Sequence, residues 1–186
     1  FVSEVGMSDG TPESLRIENG VPRTENIIAH VKDVGANYWS LWNWHNIHAD
    51  HVMNYYHQYP DGIDQLNRII GYRLRPAWIW TYGETHPTGL IVGLSNDGIS
   101  GVPGGVRLTL LDQKDAQIAS ATIEAGHPTP HQVRLMPLEL PAGVGWVGTR
   151  LKAELIFKGV IHPIRWACRE SDNPDGTLTI TRQSSL

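Results

Sequence analysis

The sequence predicts an α/β segment followed by an all-β one, with the change near Gly71. Three observations predict it. Before Gly71, apolar residues follow the order strand, amphipathic helix, strand, which is the pattern of a βαβ unit in a parallel sheet. After it, short runs with apolar and polar residues alternating are separated by turn signals at spacings of about ten to fifteen residues. The charge divides in the same place. Residues 1–70 carry four Lys/Arg against nine Asp/Glu, a net −5, while residues 71–186 carry eleven against ten, a net +1.

A chain of 186 residues suffices for one ordinary domain or two small ones with an adequate core. Its 40% hydrophobic and 18% charged residues are those of a globular protein rather than a disordered one. Seven Trp against two Phe is an unusual balance, and it fits flat amphipathic platforms for sugars as well as a large core. Neither half carries a basic stripe, so a nucleic-acid partner is not expected. No run reaches transmembrane length and no signal peptide is visible, so no membrane partner is expected either. Cys168 stands alone, which excludes an intrachain disulfide and a thiolate metal cluster; its RWAC context predicts a buried, inert thiol. The chain opens at Phe1, directly inside the strand-like FVSEVG, and is expected to be a fragment or a processed product.

In order, Phe1–Gly6 reads as a strand and Met7–Val21 as a long loop rich in Gly, Ser, Pro and Glu. A helix starts at Pro22 or Thr24, with Ile27, Ile28, Val31 and Val34 on one face, and Gly35 stands where a left-handed cap wants glycine. Tyr38–Trp42 is the next strand. Ala49–Tyr59 and the segment from Pro60 to about Ile70 read as two helices, closed by Gly71. Eight strands then follow: Tyr72–Trp80, Gly89–Ser95, Val106–Leu111, Ile118–Glu124, Gln132–Leu138, Arg150–Phe157, Ile164–Arg169 and Thr177–Thr181. Turns rich in Gly, Pro, Asn and Asp separate them, among them Asn96-Asp97-Gly98, which is expected to be a plain turn. Eight strands without a helix between them predict an antiparallel β-sandwich.

The chemistry concentrates in Asn37–His51, NYWSLWNWHNIHADH, which holds Trp39, Trp42, Trp44, His45, Asn46 and His48 within fifteen residues. An apolar strand leading into a polar loop is a common mounting for a site, because a rigid strand end holds side chains over a cleft. Trp42 and Trp44 alternate with Asn43 and so share one side of an extended chain, available to stack on a pyranose or to pack in a core. His45, Asn46 and His48 suit a polar rim that hydrogen-bonds sugar hydroxyls. The H-x-x-H-x-x-H spacing of His45, His48 and His51 does not keep three ligands on one helical face, so no metal is expected. His57 reads as a surface helix residue. Trp78 and Trp80 share one face of their strand, with core packing as the default reading and an exposed sugar-binding face as the alternative.

Residues 1–71 resemble the closing part of a TIM-type (β/α)8-barrel glycoside hydrolase. FVSEVG looks like strand seven with a carboxylate at its carboxyl end, and GANYWSLWNW looks like strand eight leading into a sugar-facing Trp. Such barrels often carry a β-sandwich after the last helix, as residues 72–186 are predicted to form. The resemblance implies that Glu4 is the strand-seven nucleophile or base, and that Trp42, Trp44, His45, Asn46 and His48 contact a carbohydrate substrate. It implies no cofactor and a secreted or periplasmic location. Glycoside hydrolysis usually needs two carboxylates. The general acid of such enzymes follows strand four, so it must come from a missing amino-terminal barrel portion or another chain. The alternative is a non-catalytic carbohydrate-binding or structural β-sandwich that residues 1–71 merely support.

Overall fold

The computed structural model describes residues 2–6, 23–42, 50, 53, 56, 57, 60–83, 88–169 and 173–181. They fall into two compact units: residues 1–72 with 98–100, and residues 73–97 with 101–186.

In the first unit β1 (Val2–Gly6) and β2 (Tyr38–Trp42) pair in parallel, with Val2 beside Tyr38 and Gly6 beside Trp42. Between them runs α1 (Arg23–Asp33), whose Ile28 and Val31 are buried as the helical period requires. Gly35 closes the helix at φ +58°. Its N–H donates to the Lys32 carbonyl at 3.1 Å, and the Ala36 N–H donates to the Val31 carbonyl at 3.1 Å. This pair of hydrogen bonds is the Schellman cap, and it satisfies two carbonyls the helix would otherwise leave open. Helix α2 (Pro60–Ile69) contributes Leu66 to a core with Ile28, Val31 and Ala36, against which Trp39, Ile70 and Ile99 pack. Asp50, Met53, Tyr56 and His57 are helical, and His57 is exposed. Residues 98–100 join this unit through backbone bonds from Ile99 to Ile69 (3.0 Å) and from Ser100 to Gly71 (3.1 Å), although the sequence places them in the second half.

Among the described residues the regular elements of the second unit are all strands: β3 (Leu74–Tyr82), β4 (Gly89–Asn96), β5 (Gly105–Leu111), β6 (Gln117–Ile123), β7 (Val133–Glu139), β8 (Arg150–Phe157), β9 (Val160–Ile164) and β10 (Leu178–Thr179). They make two antiparallel sheets, one in the order β3-β4-β7 and one in the order β10-β8-β5-β6, with β9 pairing beyond β10 on the same edge of β8. Leu90, Val92 and Leu94 of β4 are buried with Met136 and Leu138 of β7. Val106, Leu108 and Leu110 of β5 are buried with Leu151, Ala153 and Leu155 of β8. Each set lies in register across its sheet, and one apolar face on each of two antiparallel sheets is the arrangement of a β-sandwich. Residues with an α-helix pattern are few, and the chain is dominated by antiparallel sheet.

Two strand predictions need correction. Residues 165–169 are irregular, not a continuation of a strand; the strand is Val160–Ile164, joined to β8 by a tight hairpin with Lys158 at φ +49° and Gly159 at φ +78°. Two consecutive positive φ angles are those of a type I′ turn, whose twist matches the flanking strands. Trp80 does not pack in the core: it is 59% exposed. A bulge between Pro76 and Trp78 inserts one residue into β3 and reverses the alternation. Leu74 and Pro76 lie on the buried side with Asn96 and Leu94, whereas Trp78 and Trp80 lie opposite Gly93 and Ile91 on the outer side.

Candidate functional site

The parallel register of β1 and β2 brings their carboxyl ends together. Glu4 is the Cα partner of Ser40, and Gly6 is the partner of Trp42. The chain therefore leaves both strands at one end of the pair, with neighbouring strands about 5 Å apart. Glu4 and Trp42 are placed here by their backbone. Trp44, His45, Asn46 and His48 lie outside the described residues, as does His51. One strand earlier, Tyr38 is 61% exposed, while Trp39 is half-buried against the helical core and donates its indole N–H to Asn67 Oδ1 at 3.2 Å. Among the described residues, no group of three His, Cys, Asp or Glu is placed to hold a metal ion.

A second concave feature lies within the β-sandwich, where no sequence motif pointed. It is a cleft of about 580 Å³ between one edge of β3 and the chain at β10. From β3 and β4 come Trp78, Ile79, Thr81 and Leu90. Opposite them stand Trp146, Thr179, Ile180 and Thr181, and Arg75 and Cys168 complete the wall. The thiol is half-buried rather than buried, because residues 165–169 leave the ladder of β8 and run along the start of β3, with the Ala167 N–H donating to the Leu74 carbonyl at 2.8 Å. Trp166 beside it is buried, its indole N–H donating to the Leu151 carbonyl at 3.2 Å.

Among the described residues, the one charged side chain on that wall is already balanced. Arg75 forms an ion pair with Asp97 through Nε and reaches its second oxygen from Nη2 at 3.4 Å. Ser95 Oγ donates to Asp97 at 2.7 Å. Partial burial works to raise the Asp97 pKa, but the hydrogen bonds from Arg75 and Ser95 and the positive charge of Arg75 outweigh it, so the carboxyl titrates below its ordinary value. Among the described residues, no carboxylate lines the cleft itself. It has the size of a small-ligand site.

On the outer side of β3, Trp78 and Trp80 stack with ring centroids 4.1 Å apart and planes 15° apart. The Trp78 ring lies over Gly93 and the Tyr82 ring over Gly89; a Cβ on either glycine would fall 2.3–2.6 Å from ring atoms. The glycines of β4 thus leave space that the aromatic rings of β3 fill.

No family profile and no curated protein sequence matches this chain. Among solved structures, the chain is similar to the β-D-glucuronidase of Dictyoglomus thermophilum, with 13% identity and a TM-score of 0.27. The match covers 47% of this chain and 14% of that one, so the chain spans a small part of that structure's length.

Proposed function

We propose that this chain is the carboxyl-terminal part of a carbohydrate-active glycoside hydrolase, in which residues 1–71 supply the last βα units of a (β/α)8 barrel and residues 72–186 an accessory β-sandwich. The observation that carries the reading is the parallel β1–α1–β2 unit, whose register sets the ends of both strands side by side. In a barrel of this type the chemistry sits at the carboxyl ends of the strands. A carboxylate from the first strand and an aromatic face from the second would then share one cleft. Among the described residues, β1 and β2 pair only with each other, and in this reading further strands cover their outer edges.

In this reading Glu4 attacks the anomeric carbon or activates water beside it. Trp42 or Trp44 stacks on the ring, and His45, Asn46 and His48 hydrogen-bond its hydroxyls. A second carboxylate, supplied by the missing barrel portion, protonates the leaving oxygen. The test is hydrolysis of a panel of aryl glycosides by the complete polypeptide and by its Glu4→Gln variant. The amide keeps the shape but cannot attack or take a proton, so turnover on the best substrate should fall by about a thousandfold or more with KM little changed. Near-normal turnover by Glu4→Gln would remove Glu4 from the mechanism.

A further inference from the structure

We propose that the cleft between β3 and β10 is a separate, non-catalytic binding site for a neutral mono- or disaccharide. The proposal stands on the β-sandwich alone and does not depend on the role given to Glu4.

The cleft exists because two local features leave the sandwich open there. Strand β10 pairs with β8 over only Leu178 and Thr179, after which Ile180 and Thr181 depart from the ladder. On the other side, the ladder of β3 with β4 uses one edge of β3; among the described residues no strand pairs with its other edge from Pro76 to Tyr82. That open edge offers backbone N–H and C=O groups to a ligand.

The opposite wall is held in place before any ligand arrives. The Gly148 N–H donates to the Ile180 carbonyl at 2.9 Å, and the Ile180 N–H donates to the Thr149 carbonyl at 2.8 Å. Thr149 in turn donates to the Trp146 carbonyl from its N–H at 3.2 Å and from Oγ1 at 2.6 Å. These bonds fix the turn that carries the half-buried Trp146 indole against the β10 segment. A preordered wall spares a ligand much of the ordering cost of binding.

The chemistry of the walls selects the ligand class. Trp146 provides a flat apolar face with a polar edge, suited to the C–H face of a pyranose, while Trp78, its ring held between Gly93 and Trp80, adds apolar wall beside it. Thr81, Thr179 and Thr181 are exposed, and each hydroxyl both donates and accepts, as sugar hydroxyls do. Arg75 is neutralised by Asp97, so among the described residues the cleft offers no uncompensated charge for an anion or a cation. A peptide strand added to β3 would be the other use of such an edge, but Pro76 withholds an N–H and the bulge before Trp78 breaks the regular spacing that strand addition needs. A volume of about 580 Å³ accommodates one or two sugar rings.

The test is isothermal titration of the full chain with cellobiose, maltose and lactose, beside an alternating Thr-Val peptide. At least one disaccharide should bind saturably. Trp146→Ala should weaken it by about tenfold, the loss of one stacking face. Thr181→Arg, which fills the cleft from an exposed position, should weaken it at least as much, and Thr81→Val provides an isosteric check at a strand position that tolerates valine. Unchanged thermal unfolding of Thr81→Val and Thr181→Arg would separate lost binding from lost structure. Glu4→Gln should leave this binding untouched. The proposal is overturned if none of the three disaccharides binds, if their binding survives Trp146→Ala and Thr181→Arg, if it is lost in Glu4→Gln instead, or if only the peptide binds.

Discussion

Asn96 ties three stretches of the second unit together with one buried amide. Its Oδ1 accepts from the Arg73 N–H at 2.9 Å, and its Nδ2 donates to the Pro128 carbonyl at 3.0 Å; its own carbonyl accepts from the His131 N–H at 2.8 Å. The side chain is fully buried, so Asn96→Ala strands a donor and an acceptor at once and should cost about 1–3 kcal/mol, measured by urea unfolding. A loss within a few tenths of a kcal/mol would mean that these bonds contribute little to stability. This role was not legible because the partners of Asn96 lie more than twenty residues away, while Gly35 was legible because a helix cap is built from its own neighbours. Glu154 gives a second test at this scale. Burial works to raise its pKa, but hydrogen bonds from Lys152 (2.7 Å) and Arg107 (2.6 and 2.9 Å) and their charges outweigh it and hold it below the ordinary 4.5. A carboxyl with a depressed folded pKa contributes stability that is present above its unfolded pKa and is lost as pH falls through the folded one. Stability should therefore drop on acidification below about pH 4.5, and Glu154→Gln should be less stable at neutral pH with a shallower acid limb. An acid limb of the same depth in the variant would contradict this.

At the scale of elements, β8 was readable to the residue because Leu151, Ala153 and Leu155 alternate with Lys152 and Glu154 and the period decides the face. In β3 the same reasoning put two tryptophans on the wrong side, since one inserted residue is invisible to a periodicity argument. Strand β9 was shifted because Lys158 occupies a position where a type I′ turn favours Asn or Gly, leaving no familiar turn signal. The outer aromatic face yields a prediction of its own. In Gly93→Ala the new methyl would overlap the Trp78 indole, whose ring atoms stand 2.4–2.6 Å from an ideal Cβ. Trp78 must move, and the parallel stack with Trp80 must open. The far-ultraviolet circular dichroism couplet expected of two stacked indoles should shrink in Gly93→Ala and vanish in Trp78→Phe. A couplet unchanged in both would mean the two rings do not stack in solution.

The whole molecule combines a unit built on a parallel pair with one built on antiparallel sheets. The second unit closes its own core from residues in register across each sheet, and apart from residues 98–100 it is contiguous in sequence. Residues 73–186 expressed alone should therefore unfold in a single cooperative transition and keep the tryptophan couplet; a non-cooperative melt would show that the sandwich depends on the first unit. The candidate carbohydrate site was legible only as composition, three tryptophans beside a run of histidines and amides, and the register of β1 and β2 adds only that Glu4 stands beside Ser40. The cleft of the sandwich was not legible, because its walls come from β3, the 141–149 turn and β10, which no local pattern links.

The most direct measurement is chemical rescue of the Glu4→Ala variant of the complete polypeptide by formate, using the best aryl glycoside as substrate. If Glu4 supplies the carboxylate of a glycoside hydrolase, truncation should reduce turnover by about a thousandfold or more, and formate should restore part of it in proportion to its concentration. Turnover by Glu4→Ala close to that of the parent, with or without formate, would contradict the account.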